Sequence, residues 1–202
     1  MREIVTPGDM VSDKSVRMDN TYVENGKTYS TVLGLFDSEK GTVVSLEGTW
    51  SPRVGDMVIG IVVSARNAVY EIDLSFFGKS LLIGSKYDRH TYNAGDVIEA
   101  EVKDIENRKT IILWRPRVLY GGNILEIKAT KVPRVIGKNN TMVQQIGALT
   151  KSTISVGNNG IIWIKGGDMA LATQAIRQIE DEAHTSGLTE RIKHMLETNA
   201  TK

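Results

Sequence analysis

The residues best placed to do chemistry run from Val135 through Ile136, Gly137, Lys138 and Asn139 to Asn140. Val135 and Ile136 close a short helix, the next four residues make a tight basic loop, and Thr141 opens a second helix. Such a loop suits an anion. Gly137 has no side chain to hold a backbone phosphate away, Lys138 adds charge, and the first amides of the Thr141 helix can face the ligand. Asn140 adopts a left-handed backbone better than most residues that carry a side chain. From Ile127 to Gly167 there is no Asp or Glu, while Lys128, Lys131, Arg134, Lys138, Lys151 and Lys165 all fall in that window. The whole chain carries a net charge of only +1. Its basic character is therefore local, and phosphate contacts are expected where it gathers, at Lys131, Arg134, Gly137, Lys138, Asn139 and Asn140.

A second basic group lies earlier. Arg66, Lys79, Lys86, Arg108 and Lys109 fall in or near turns between strand-like runs, and Tyr70, Phe76, Phe77 and Tyr87 offer rings on which bases stack. Tyr70 shares a strand side with Ile72 and Leu74, which favours core packing. Arg66, Lys79, Arg108 and Lys109 are the binding candidates of this block.

No catalytic constellation forms. His90, His184 and His194 are scattered. Gly78-Lys79-Ser80 matches the end of a phosphate-binding P-loop, but the first glycine of that motif would fall at Asp73. Glu180-Asp181-Glu182 are consecutive on a helix and point different ways. Glu99 and Glu101 share a strand face and can approach a metal, yet no third ligand accompanies them. Cysteine is absent, which removes disulfides, thiol catalysis and cysteine-based zinc sites and fits a reducing compartment. Neither a metal nor a cofactor is called for. No apolar run approaches the ~20 residues that span a bilayer, and the N-terminus lacks the apolar stretch of a secretory signal. A cytoplasmic protein with no membrane partner is expected. With 41% hydrophobic and 24% charged residues in 202, the chain can bury real cores in one or two domains.

The elements that must position these residues fall into three blocks. Residues 1–52 read as all-β, with β-rich runs at 29–36 and 42–46 and a hairpin signal at Asn25-Gly26. Residues 53–116 hold five strand-like pieces in about sixty residues, the mark of a small closed barrel. In this block Val97 to Ile105 alternates, with Ile98, Ala100 and Val102 on one side. Residues 117–187 read β-α-α-β-β-α. Pro133 opens the first helix, and the helix from Thr141 shows Val143, Ile146 and Leu149 on one face. Gly157-Asn158-Asn159-Gly160 turns between two strands. Asp168 caps a third helix that Gly187 stops. Leu188 to Leu196 adds a short helix, and Thr198 to Lys202 a loose end. The phrase Gly-Asp followed by an apolar strand recurs at Gly8, Gly55 and Gly95. Coincidence and common turn chemistry weigh against reading the first copy as part of a repeat, whereas the other two sit in a longer pattern.

These residues carry a family resemblance. Val54-Gly55-Asp56, Gly60-Ile61-Val62, the run Ala94 to Val102 and the run Arg108 to Leu113 resemble an S1 motif, an OB-fold barrel that binds RNA. Arg117 to Gly187 resembles a single KH domain, with Gly137-Lys138-Asn139-Asn140 as its loop. A small N-terminal β domain, then S1, then one KH domain, resembles the archaeal exosome cap subunits of the S1/KH type, over essentially the whole chain. The sibling cap subunit ends in a zinc ribbon, which a chain without cysteine cannot form. The resemblance implies a mixed, mainly β fold: N-terminal β domain 1–52 for docking, S1 barrel 53–116, KH domain 117–187, then helix and tail 188–202. It implies a non-catalytic subunit that captures single-stranded RNA and feeds its 3′ end to a hexameric phosphorolytic ring, in three copies per complex. The rival expectations are a free-standing RNA-binding regulator and a nuclease in its own right.

Overall fold

In the computed structural model the described residues are 2–46, 48–84, 91–106, 110–183, 185 and 187–200. They divide into two units, Met1–Thr49 and Trp50–Lys202. Among them no helix is long and apolar enough to cross a membrane.

The first unit holds two three-stranded antiparallel sheets. One has the order β1 (Arg2–Val5), β5 (Gly34–Asp37), β6 (Thr42–Ser45); the other β2 (Met10–Ser12), β4 (Lys27–Ser30), β3 (Thr21–Glu24). Val5, Val11 and Val43 make its small core. Asn25 and Gly26, with φ of 50° and 79°, form the expected hairpin turn between β3 and β4. The β-rich run 29–36 is not one strand. The chain leaves β4 at Ser30 and enters β5, in the other sheet, at Gly34. The Ser30 hydroxyl holds this break by donating to the Val32 carbonyl at 2.8 Å.

All three Gly-Asp phrases adopt one turn. Gly8, Gly55 and Gly95 have φ of 93°, 91° and 94°, which only glycine tolerates easily. Each following aspartate accepts from the backbone N–H three residues back: Thr6 at 2.7 Å, Arg53 at 3.0 Å and Asn93 at 2.8 Å. The first copy is therefore the same device as the other two, not a coincidence of composition.

The second unit begins with a closed barrel of order β10-β11-β9-β8-β7. Its strands are β7 (Met57–Arg66), β8 (Val69–Asp73), β9 (Lys79–Ile83), β10 (Val97–Glu106) and β11 (Thr110–Val118). The alternation read from β10 holds: Ile98, Ala100 and Val102 are buried, and Ile111 and Leu113 of β11 meet them in the core. Tyr70 is core, as expected, packing edge-on against Tyr92 at 5.0 Å.

The C-terminal part has the sheet β12-β14-β13, from β12 (Asn123–Glu126), β13 (Thr153–Val156) and β14 (Ile161–Lys165). Four helices pack with it: α1 (Val132–Ile136), α2 (Thr141–Thr150), α3 (Met169–Asp181) and α4 (Leu188–Ala200). Asp168 caps α3 as read, accepting from the Leu171 N–H at 2.9 Å. Three details differ from the sequence reading. The buried face of α2 is Met142, Ile146 and Thr150, with Val143 only half-buried; Thr150 hides its hydroxyl by donating to the Ile146 carbonyl. Helix α3 stops at Asp181 rather than at Gly187, because Thr185 takes the Glu182 carbonyl and Arg191 of α4 takes its carboxylate. Helix α4 runs on to Ala200, past the expected end at Leu196. Its Leu188, Ile192 and Leu196 join the same core as Ile146, Ile162 and Ile176.

Candidate nucleic-acid interface

The loop between α1 and α2 is built around backbone angles that few residues accept. Gly137 has φ 73° and ψ 175°, and a Cβ there would lie 2.7 Å from the Met142 Cβ. Asn139 and Asn140 follow with φ of 53° and 63°, both left-handed, where asparagine is among the most tolerated residues with a side chain. Asn140 ends in the conformation a glycine would favour. Thr141 ties the loop shut by donating its hydroxyl to the Lys138 carbonyl at 2.8 Å. Arg134, Lys138, Asn139 and Asn140 are exposed and Lys131 is half-buried. Among the described residues none of these three cations forms an ion pair. The arrangement offers unneutralised charge beside a close-approach glycine, which is what a phosphate needs. The acid-free window is not acid-free in space, however. Glu180 of α3 reaches the Lys128 backbone N–H at 2.7 Å and pairs with Arg177.

The two described barrel candidates, Arg66 and Lys79, do not sit together. Arg66 pairs with Val69, and Val69 with Ile83, at one end of β7, β8 and β9. Lys79 pairs with Thr110 at the opposite end of β9. Four residue steps along the strand separate the ends, about 13 Å. Arg108 and Lys109, with Lys86, Tyr87, His90 and His184, lie outside the described residues. Phe76 is half-buried, edge-on to Trp50 at 5.6 Å, whereas Phe77 is 99% exposed.

Glu99, Glu101, Glu180 and Glu182, weighed as metal ligands, have other partners. Arg117 grips Glu99 at 2.6 Å and Arg115 meets Glu101 at 3.3 Å. Glu182 is held by Arg191. No group of three potential ligands gathers among the described residues.

Sequence reasoning took Gly157-Asn158-Asn159-Gly160 for a plain turn and missed its second role. Buried Asn159 donates to the carbonyls of Ile59 at 2.8 Å and Leu74 at 3.0 Å, and accepts from the Ile59 N–H at 3.2 Å. Asn158 donates to Asp56 at 2.7 Å, and its own N–H to the Met57 carbonyl. Ile59, Leu119, Ile161 and Trp163 form an apolar core beside this clamp. The turn thus fastens the barrel to the C-terminal fold. The one signal in the sequence was Ile59, an apolar residue out of phase with inward-facing Val58, Gly60 and Val62.

Comparison with known proteins extends these observations. A family model described as the exosome RNA binding protein RRP4 N-terminal domain matches residues 2–46. The exosome complex component Rrp4 of Pyrococcus furiosus is 38% identical over 218 residues, covering 96% of this chain and 83% of its own length. This chain belongs to the Rrp4 family. The Rrp4 of Methanosarcina barkeri is 36% identical, covering 100% of this chain and 84% of its own. A crystal structure ascribed to an exosome complex RNA-binding protein superposes with a TM-score of 0.66 at 28% identity, covering 76% of this chain and 98% of the other. The relation to Rrp4 proteins runs through the barrel and the C-terminal fold as well as the first unit.

Proposed function

We propose that this chain is a non-catalytic RNA-binding component of the exosome, a cap that captures single-stranded RNA and passes its 3′ end to a phosphorolytic 3′–5′ exoribonuclease ring. The observation that carries the reading is the kinship with Rrp4 proteins across 96% of the chain. The exposed, unpaired Lys138 on a preformed loop supports it by supplying a phosphate contact. In this reading residues 1–52 dock on a hexameric ring, the 53–116 barrel and the 117–187 fold face RNA, and three copies sit on each ring in the cytoplasm. Several modest contacts, repeated in three copies, raise the effective concentration of RNA without one strong site. The test is RNA affinity of Lys138→Glu and Arg66→Glu, each assembled with the ring. A residue that touches phosphate gives a loss uniform across sequences and a salt slope reduced by about 1. If neither substitution changes binding, both loops are removed as contact sites.

A further inference from the structure

Phe77 leaves 99% of its surface exposed, an exposure that a lone phenylalanine on a loose loop would not make notable. The segment that carries it is fixed on both sides. Leu74 is buried in the barrel core, and its carbonyl receives the Asn159 amide at 3.0 Å. Ser75 is held at a left-handed φ of 53° by donating its N–H to the Asp73 carboxylate at 2.8 Å. Phe76 is anchored edge-on against Trp50, whose indole N–H is in turn held by Asp56 at 3.0 Å. Gly78 then donates to the Phe76 carbonyl at 2.9 Å, closing a three-residue turn with Phe77 at its apex. Strain of this kind persists where the surroundings over-determine it, and it marks segments shaped for a task.

We infer that Phe77 is a stacking platform for a nucleobase of single-stranded RNA, an inference that rests on the RNA-binding reading above. Its surface neighbours along the chain are Ser75, Gly78 and Lys79. Lys79 forms no ion pair among the described residues. An exposed ring two positions before an exposed lysine in the chain suits a base and its phosphate. The rigid turn also means that little ordering is needed when the base arrives.

The test uses the full chain and fluorescein-labelled oligouridylate and oligoadenylate, with affinity read by anisotropy. Phe77→Ala touches no packed side chain, so the thermal melt stays that of the wild type while affinity for both oligomers falls about 5- to 100-fold. The salt slope is unchanged, because no charge is lost. Phe77→Trp restores affinity, and its fluorescence is quenched as RNA is added. Wild-type affinity in Phe77→Ala overturns the stacking role alone, and a simultaneous loss of binding to the exosome ring would assign Phe77 to a protein contact instead. A wild-type chain that takes no RNA overturns the underlying reading, and the stacking role with it.

Discussion

Two loops of similar composition do opposite work in this chain. In one, Gly137 to Asn140, two asparagines adopt left-handed backbone and leave their side chains in water. In the other, Asn159 turns inward and satisfies three backbone groups of the barrel. Residue types alone could not separate them, because asparagine next to glycine is turn chemistry in both. The backbone demanded of the first loop was legible; the long-range partners of the second, about a hundred positions earlier in the chain, were not. Asn159→Ala should therefore destabilise the second unit by about 3 kcal/mol, since it strands buried polar groups. Asn159→Asp, which keeps the shape but cannot donate to the Ile59 and Leu74 carbonyls, should rescue little. Urea denaturation of both variants checks this. Asp9 offers a separate test. Hydrogen bonds from the Thr6 backbone and then the Thr6 hydroxyl hold its carboxyl below the ordinary value of 3.8. A depressed folded pKa means that the stabilisation is complete above that value and is lost as pH falls through the lower, folded one. An NMR titration of the Asp9 carboxyl should show a midpoint below 3.8, and Thr6→Ala should raise it without removing the backbone contribution.

The elements were read best where a period governed them. The alternation of β10 and the five strands of the barrel follow from side chains that must face one closed core. Helix ends followed less closely. Gly187 looked like the stop of α3, but the helix ends at Asp181, where Thr185, three residues on, binds the Glu182 carbonyl and Arg191 reaches the Glu182 carboxylate from α4. The same tertiary packing decides the role of α4. The sequence read it only as a short added helix, yet Ile192 and Leu196 are fully buried against α2 and α3. Ile192→Ala should cost about 2–5 kcal/mol, a loss visible in a thermal melt and comparable to that of a central core residue. A loss below about 1 kcal/mol would mean that α4 is only loosely attached.

At the scale of the molecule, the order of modules said more than any single site. A β domain, a barrel and a β-α-α-β-β-α fold, in a chain without cysteine, led to the family that the Rrp4 relatives then established. Charge could not have done so, since a net +1 hides the basic loop. Asn158 and Asn159 fasten the barrel to the C-terminal fold, so the two parts are joined by specific hydrogen bonds rather than tethered by a linker alone. The central claim is tested most directly by measuring RNA affinity of the phosphorolytic ring with and without this chain across a range of salt. The account predicts that the chain co-elutes with the ring, raises its RNA affinity with a steep salt dependence, and releases no nucleotides alone. A chain that elutes apart from the ring, or that degrades RNA by itself, would contradict it.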